Sequence, residues 1–547
     1  MQSAKVVTPT MTAFDQPNPL HQVSRPDTSW TTVNAAENIP GVMTPLGFDF
    51  WMNAVDLGVR GAFHWIGVLP ASAVRIGAVP DERFGGVFYG RFAGNVDQFR
   101  LVADLTPGTD GAAFEMDVFG STREQPIGRQ SPWRYPLIAA KAPVVVARLP
   151  HLIPLRSAQT QSWWQHATSA AEQCRPAVDR LQEAADRMAE SSLLQITVSM
   201  LALALFDRLG RLAKQAGHPE LHLQLAAGYG GMEETRMISA LNSIARNPTE
   251  EQTLMATFLS TYGARCDGEN EISARSWREQ PERIAKLVEQ YRNAPSRVDP
   301  LDQAEDRISA RVRAERTLLS ALPRWRRPPA RLLLRVARSY IPLREEGKHL
   351  MAMAMDAGRC AARARGAELV SAGIIDDPED VFLLTMKEVL GDAPPDAREM
   401  IADRKSLRAQ YADMNVPQSW VGNPAPVYPQ TRPGERVSEV TGVPAAFGCA
   451  EGIARVVLDA DGCDDLEPDE ILVCRTTDPS WASAFHLVSA VVIDIGGAGS
   501  HGAIVSRELG LPCVINTRTG TEDIHTGDRL RVDGSTGIVT ILKYADD

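Results

Sequence analysis

Gly496-Gly497-Ala498-Gly499-Ser500-His501-Gly502-Ala503-Ile504-Val505-Ser506-Arg507-Glu508-Leu509-Gly510-Leu511-Pro512 is the stretch that decides how the chain is read. The run before it, Ala490-Val491-Val492-Ile493-Asp494-Ile495, is short and apolar, the pattern of a buried strand. After the glycines, Ala503, Ile504, Arg507 and Glu508 favour a helix, which stops at Gly510 with Pro512 just beyond. The order strand, Gly-rich turn, helix puts Ser500 and His501 at a helix start. Unpaired backbone N–H groups and the positive end of the helix dipole face outward there, and glycines let an anion come close. An imidazole so placed has the chemistry to attack a phosphoryl group and hold it covalently.

The pattern Gly-Gly-x-x-Ser-His-x-Ala-Ile-Val-x-Arg-Glu-Leu-Gly-x-Pro resembles the phosphohistidine ("swivelling") domain of the family containing phosphoenolpyruvate synthase, pyruvate phosphate dikinase and rifampin phosphotransferase. Gly448 to Val457, Ile471-Leu472-Val473 with Thr477-Asp478-Pro479-Ser480-Trp481, and Val532-Asp533-Gly534 to Val539 follow in the order this resemblance expects. It implies that His501 carries the phosphoryl group on a loop that includes Gly496, Gly497 and Ser500. Asp478 and Arg507 either orient that loop or have ordinary turn and helix-surface duties. Gly499 stands where dikinases tend to carry Thr, which argues against Thr-based control, and Gly502 where they tend to carry Ala.

Length alone, 547 residues, predicts about three or four domains. With 44% hydrophobic and 23% charged residues, the composition is that of a soluble globular protein. A formal charge of −11 argues against nonspecific nucleic-acid binding. Seven cysteines without a Cys-x-x-Cys pair fit free thiols in a reducing compartment and suggest no metal site. The first 29 residues read as a disordered polar tail without a signal peptide, and Leu193–Phe206 as a buried helix too short to span a membrane. A cytoplasmic protein is expected.

Trp30–Trp51 carries two Pro-containing turns and reads as a structured connection rather than a regular element. It resembles the opening of the family's substrate-binding domain, which an ATP-grasp domain precedes in those proteins. Only 29 residues precede it here, so the expectation is that the nucleotide domain sits on another chain. Between Phe84 and Phe99, aromatics alternate with glycines. Phe84, Phe88 and Phe92 either line a pocket for a flat apolar ligand or fill the core. Arg91 and Asn95 sit in a Gly-Arg-x-x-x-Asn pattern shared with the rifampin phosphotransferase group.

From about 165 to 412, apolar spacings of three and four predict a mainly helical domain. Arg265 with Glu269 or Glu271 lies in a segment similar to the family's Gly-x-Arg-x-x-x-Glu motif, as a site-shaping ion pair or a structural one. Arg327, Arg331, Arg335 and Arg338 share one helical face, for an anionic partner or for solvent. Arg344-Glu345-Glu346-Gly347-Lys348-His349 resembles the Arg-Glu-x-x-Lys motif of the same relatives. Arg344 and Lys348, at i and i+4, project to one side and suit a phosphoryl clamp. His349 is the nearest candidate base, and Met351 with Met355 continues the face as adaptable lining or as core. Asp376–Leu384 matches a family segment of structural character.

Five prolines between Pro417 and Pro433 suggest a semi-rigid linker. Beyond it, short apolar strands at Ala454–Leu458, Ile471–Cys474, Val491–Ile495, Cys513–Ile515, Leu530–Val532 and Ile538–Leu542 predict a compact α/β domain. The expected organisation is a tail (1–29), a mainly α substrate-binding domain (30–416), a linker (417–433) and a C-terminal α/β phosphohistidine domain (434–547). Catalysis falls to His501, Arg344 and Lys348, and substrate binding to Phe84, Phe88, Arg91, Phe92, Arg265, Glu269, His349 and Met351. No cofactor is expected on this chain. A separate ATP-grasp protein is expected to load His501 using ATP and Mg²⁺, for delivery to the hydroxyl of an apolar or aromatic small molecule. Two rival readings are an elimination activated by phosphorylation and a non-catalytic homologue that binds an apolar ligand or a partner.

Overall fold

The computed structural model describes residues 18–33, 39, 41–107, 111, 132–229, 233–293, 300–391, 393–428, 437–458, 461–477, 481–497 and 500–546. Helices dominate as far as residue 412. The longer ones are α1 (Pro45–Trp65), α2 (Val96–Leu105), α3 (Tyr135–Ala167), α4 (Ala177–Gln215), α5 (Glu233–Arg246) and α6 (Glu251–Tyr262). They continue with α7 (Pro281–Asn293), α8 (Pro300–Ala321), α9 (Arg327–Tyr340), α10 (Leu343–Ser371) and α11 (Ala397–Ala412).

The chain enters α1 at Thr44, whose hydroxyl accepts from Gly47 N at 3.1 Å, with Pro45 in the first turn where no N–H is needed. The expected connection therefore ends at residue 44, and 45–51 are helical. Asn34–Asn38 and Pro40 lie outside the described residues. α10 packs along α4 and α3, and α1 crosses α4. Its buried face is rich in small residues (Ala352, Ala354, Ala357, Ala361), and a Cβ on Gly347 would lie 2.2 Å from Gln195 Oε1 of α4. Glycine is what permits that approach. Met353 and Met355 join Phe50, Met52, Leu181 and Met188 in the main core, with Met351 on its flank.

A four-stranded sheet, in the order β2-β3-β1-β4, covers one side of the bundle. Its strands are β1 (Ser29–Thr31), β2 (Gly85–Phe88), β3 (Arg91–Asn95) and β4 (Ser419–Val421). Two expectations fail here. Residues 18–28 are not a loose tail: Gln22 N donates to Val87 O at 2.9 Å and Gly90 N to Leu20 O at 2.6 Å. Residues 1–17 lie outside the described set. Nor do residues 417–428 form an extended linker, because β4 pairs antiparallel with β1 and Asn415 and Val427 exchange two backbone hydrogen bonds. Trp420, against the Phe88 ring at 5.3 Å, gives that strand its reason to dock. Pro429–Pro433 is outside the described residues.

The C-terminal domain holds an eight-stranded sheet in the order β5-β12-β11-β7-β8-β9-β10-β6. The strands are β5 (Glu439–Thr441), β6 (Val443–Ala446), β7 (Cys449–Val457), β8 (Ile471–Cys474), β9 (Ala490–Ile493), β10 (Cys513–Ile515), β11 (Arg529–Asp533) and β12 (Ile538–Lys543). β7 to β10 run parallel. Every residue of β8 and β9 is buried, as continuous apolar runs in parallel sheets require. α12 (His501–Leu509) follows β9. The fold is thus a mainly α region followed by an α/β domain. One apolar cluster joins them: Met237, Ile238 and Leu241 of α5, Phe258 of α6 and Val288 of α7 pack with Trp481, Phe485 and Ala503.

Two helices, α3 with its preceding turn (Pro132–Ala167) and α4, are long and apolar enough to cross a membrane, with mean hydropathy 1.3 and 1.5 over their best windows. The sequence reading singles out only Leu193–Phe206, as a buried run too short to span, because it does not follow either helix through its polar interruptions. α4 is the central helix of the bundle, in contact with α1 and α10.

Candidate active site

Ser500 caps α12, its hydroxyl accepting from Ala503 N at 3.3 Å while its own N–H reaches Gly497 O at 2.8 Å. The helix ends on Gly510, whose φ of 70° is the left-handed C-terminal stop that glycine allows. A Cβ on Gly502 would meet Ile493 Cδ1 at 2.5 Å and Thr477 Oγ1 at 2.8 Å, so this position favours glycine by close packing on β9. Gly496 sits 3.2 Å (from an ideal Cβ) from Ser500 Oγ, whereas a Cβ on Gly497 would meet nothing within 4 Å. Ala498, Gly499 and Asp478 are outside the described residues.

His501 is 4% exposed and points into the helical region. Burial, then Lys348, holds its pKa well below the usual imidazole range; Glu345 opposes this, and Arg265 and Arg344 add to it. The ring is therefore neutral at physiological pH. On the first turn of α10, Lys348 Nζ lies 3.1 Å and Arg344 Nη1 3.7 Å from the Glu345 carboxylate. Burial pushes the Glu345 carboxyl up, but Lys348 and Arg344 outweigh it and hold the group ionised.

Arg265 is fully buried and pairs with Glu269 at 3.0 Å, with Glu234 of α5 at 3.8 Å. Burial opposes its charge, yet Glu269 and Glu234 raise its pKa above the ordinary value. Its loop is held by Arg359 of α10, which donates to Glu269 O at 2.7 Å and Glu271 O at 3.1 Å. His349 is buried too, its ring 6.2 Å from that of Tyr262, and burial with Arg265 pushes its pKa down to about 3. A base that weak is poorly matched to proton abstraction near neutral pH.

The structure thus gathers His501, Arg344, Lys348 and Arg265, with Glu269 and His349 behind them. It does not bring the aromatic hairpin into that group. Phe88 packs on Trp30 at 4.9 Å, Phe84 on Phe99 at 5.0 Å and Phe92 on Trp51 at 4.9 Å. Arg91 Nε donates to Met414 O at 2.9 Å, tying the hairpin to the end of α11. The pocket reading of these positions is corrected to core, because the rings already satisfy one another. Arg507 Nη1 donates to Ala445 O at 3.0 Å, and burial brings its pKa down to about 10. Of the basic face on α9, Arg331 and Arg335 are exposed, Arg338 pairs with Glu315, and Arg327 Nε bonds Leu322 O at 3.1 Å.

Sequence reading missed Glu234 and Arg359. Arg359 had a signal, a cation in a helix stretch otherwise rich in Met and Ala. Glu234 had none, since acidic residues at a helix start ordinarily serve the dipole. Among the described residues, no group of three or more His, Cys, Asp or Glu side chains is arranged to hold a metal ion. A cleft of about 280 Å³ lies elsewhere, lined by Ile39, Val42, Met43, Glu271 and Arg408 among others, and by none of the expected substrate-binding residues.

Residues 466–537 match the family described as PEP-utilising enzyme, mobile domain, a span that includes the whole His501 loop. Residues 156–345 match the rifampicin phosphotransferase fourth domain, taking in Glu234, Arg265 and Arg344. The chain resembles the rifampicin phosphotransferases. It is 30% identical over 330 residues to the rifampicin phosphotransferase of Streptomyces sviceus, covering 59% of this chain and 38% of that protein. A Streptomyces sp relative of the same name is 30% identical over 380 residues, covering 66% and 42%. One from Bacillus subtilis is 29% identical over 295 residues, covering 52% and 34%. The chain therefore spans well under half the length of these relatives.

Proposed function

We propose that this chain is the acceptor-binding and carrier part of an ATP-dependent, dikinase-like phosphotransferase of the cytoplasm. His501 takes a phosphoryl group from an ATP-grasp protein on a separate chain, which works with ATP and Mg²⁺, and delivers it to the hydroxyl of an apolar or aromatic small molecule. The observation that carries this reading is the neutral, buried His501 set against Lys348 and Arg344. A neutral ring keeps the lone pair that attack requires. Two cations held by one carboxylate are preorganised for the charge that spreads over the transferring phosphoryl oxygens. The mobile-domain and fourth-domain matches support both halves of the assignment.

The test is intact-mass analysis after incubation with Mg–ATP and a dikinase-type ATP-grasp protein, followed by addition of apolar alcohols and phenols. An acid-labile gain of one phosphoryl group, absent in His501→Ala, establishes the carrier. A phosphate ester accumulating as product identifies transfer. Release of inorganic phosphate with an unsaturated product identifies elimination instead, and labelling that persists in His501→Ala overturns the assignment.

A further inference from the structure

α3 is apolar on two sides but packed on one. Val145, Leu149 and Ile153 face the bundle, whereas Trp133, Leu137, Ala140, Val144, Ala147 and Leu155 are exposed. With His151, the exposed positions follow one another every three or four residues, which puts them in one row along the outer side, beginning in the turn before the helix. Only 17% of the most apolar stretch here is buried, against 44% in α4, so most of this apolar surface lies outside the core. Arg134, Lys141 and Arg148, at intervals of seven, form a second row beside the first.

α9 repeats the arrangement. Trp325 and Leu332 are exposed together with Arg331 and Arg335. Among the described residues, which include all ten tryptophans, only Trp133 and Trp325 are exposed. Each has an arginine over its ring, Arg134 at 4.9 Å and Arg326 at 4.8 Å. Both helices run against α4: Trp163 and Arg156 meet Glu183 and Glu190, Arg326 meets Gln215, and the Tyr340 hydroxyl bonds Val146 O. α3 and α9 are therefore parallel, and the two tryptophans mark the same end of the bundle. Residues 132–167 and 323–343 contain no Asp or Glu, in a chain that carries 68 of them and a net charge of −11. The two helices thus form a basic, apolar surface on an acidic protein.

We propose that α3 and α9 rest on a lipid surface bearing anionic headgroups. The row from Trp133 to Leu155 dips into the boundary of the acyl chains, while Lys141, Arg148, Arg331 and Arg335 reach the headgroup phosphates. α3 lies on that surface and does not cross it, because Val145, Leu149 and Ile153 hold its other side to the bundle. Cations alone would fit an acidic protein equally well. The apolar row decides for lipid, with tryptophans at its edge where headgroups meet hydrocarbon. α9 leads directly into the Arg344–Lys348 turn, so on the transfer reading above such a surface would also supply apolar alcohols to the site. Lipid binding itself does not depend on that reading.

The test is co-sedimentation of the whole, unphosphorylated chain with vesicles of phosphatidylcholine alone or mixed with phosphatidylglycerol. Binding is expected with the mixed vesicles only, and Lys141→Gln, Arg331→Gln and Arg335→Gln should each weaken it about 5-fold. Val144→Glu, at an exposed position, should weaken it by more than about 10-fold with an unchanged melting temperature. Brominated lipid in the mixed vesicles should quench tryptophan fluorescence, and Trp133→Phe or Trp325→Phe should remove part of that quenching. No binding to the mixed vesicles overturns the proposal, as does binding that Val144→Glu and Arg331→Gln leave unchanged. Quenching that survives both tryptophan substitutions also overturns it. Equal retention on immobilised polyglutamate, indifferent to Val144→Glu, makes an acidic protein the occupant instead. A dimer in sedimentation equilibrium that Val144→Glu dissociates makes the occupant a second copy of the chain, and likewise overturns the proposal. None of these outcomes touches the transfer reading, since no phosphoryl donor is present.

Discussion

The aromatic hairpin at Phe84–Phe99 and the first turn of α10 offered equally suggestive sequence, and the fold treats them in opposite ways. In the hairpin, Tyr89 and Gly90 make a tight turn with φ of 49° and 69°, and the rings on either side lock against Trp30, Trp51, Phe99 and Trp420. In α10, Arg344 and Lys348 remain only partly buried and turn toward a histidine more than 150 positions along the chain. Rings can satisfy one another, so a cluster of them closes up. Like charges cannot, so a pair of cations at one helix turn stays open to an anion.

The largest effect expected from breaking this contrast is at His501. His501→Ala should abolish phosphoryl labelling by mass, while Phe88→Ala should leave labelling of the folded fraction intact. Lys348→Ala and Arg344→Ala should each slow phosphoryl transfer by about 10²–10³-fold with little change in melting temperature. On the hairpin, Phe88→Ala should cost about 3–5 kcal/mol of stability in denaturant titration, the penalty for emptying an aromatic core site.

A smaller effect is set by pH. His349 and His501 are held neutral with depressed pKa values, so the unfolded chain binds more protons below pH 6.5. Their contribution to stability is present above pH 6.5 and is lost as pH falls toward the folded value, about 3 for His349. His349→Gln should flatten the fall in melting temperature between pH 6.5 and 5. Least of all, Arg331→Ala on the exposed face of α9 should change stability by less than about 0.5 kcal/mol.

Sequence alone reveals much of the C-terminal α/β domain, because its strands are continuous apolar runs and the His501 loop has punctuation at both ends. The Arg344–Lys348 turn was legible through the same-face spacing of two cations. The tail and linker were misread for one reason. Residues 18–28 and 417–428 are polar and Pro-containing, and their order comes from pairing across nearly 400 residues, which no local pattern records. Glu234 was hidden similarly, since its partner Arg265 lies in a loop beyond the next helix.

In the eight-stranded sheet, β5 and β6 are the two outermost strands, yet only Gly442 separates them in sequence. A Cβ there would sit 2.5 Å from Ile515 O, and its N–H reaches Gly537 O at 2.8 Å. The sheet's two borders are thereby drawn together at one residue, and the strands curl toward a ring. A ring hides the unpaired backbone that an open border would display to other chains. The sheet therefore offers no border at which a strand from another chain could add.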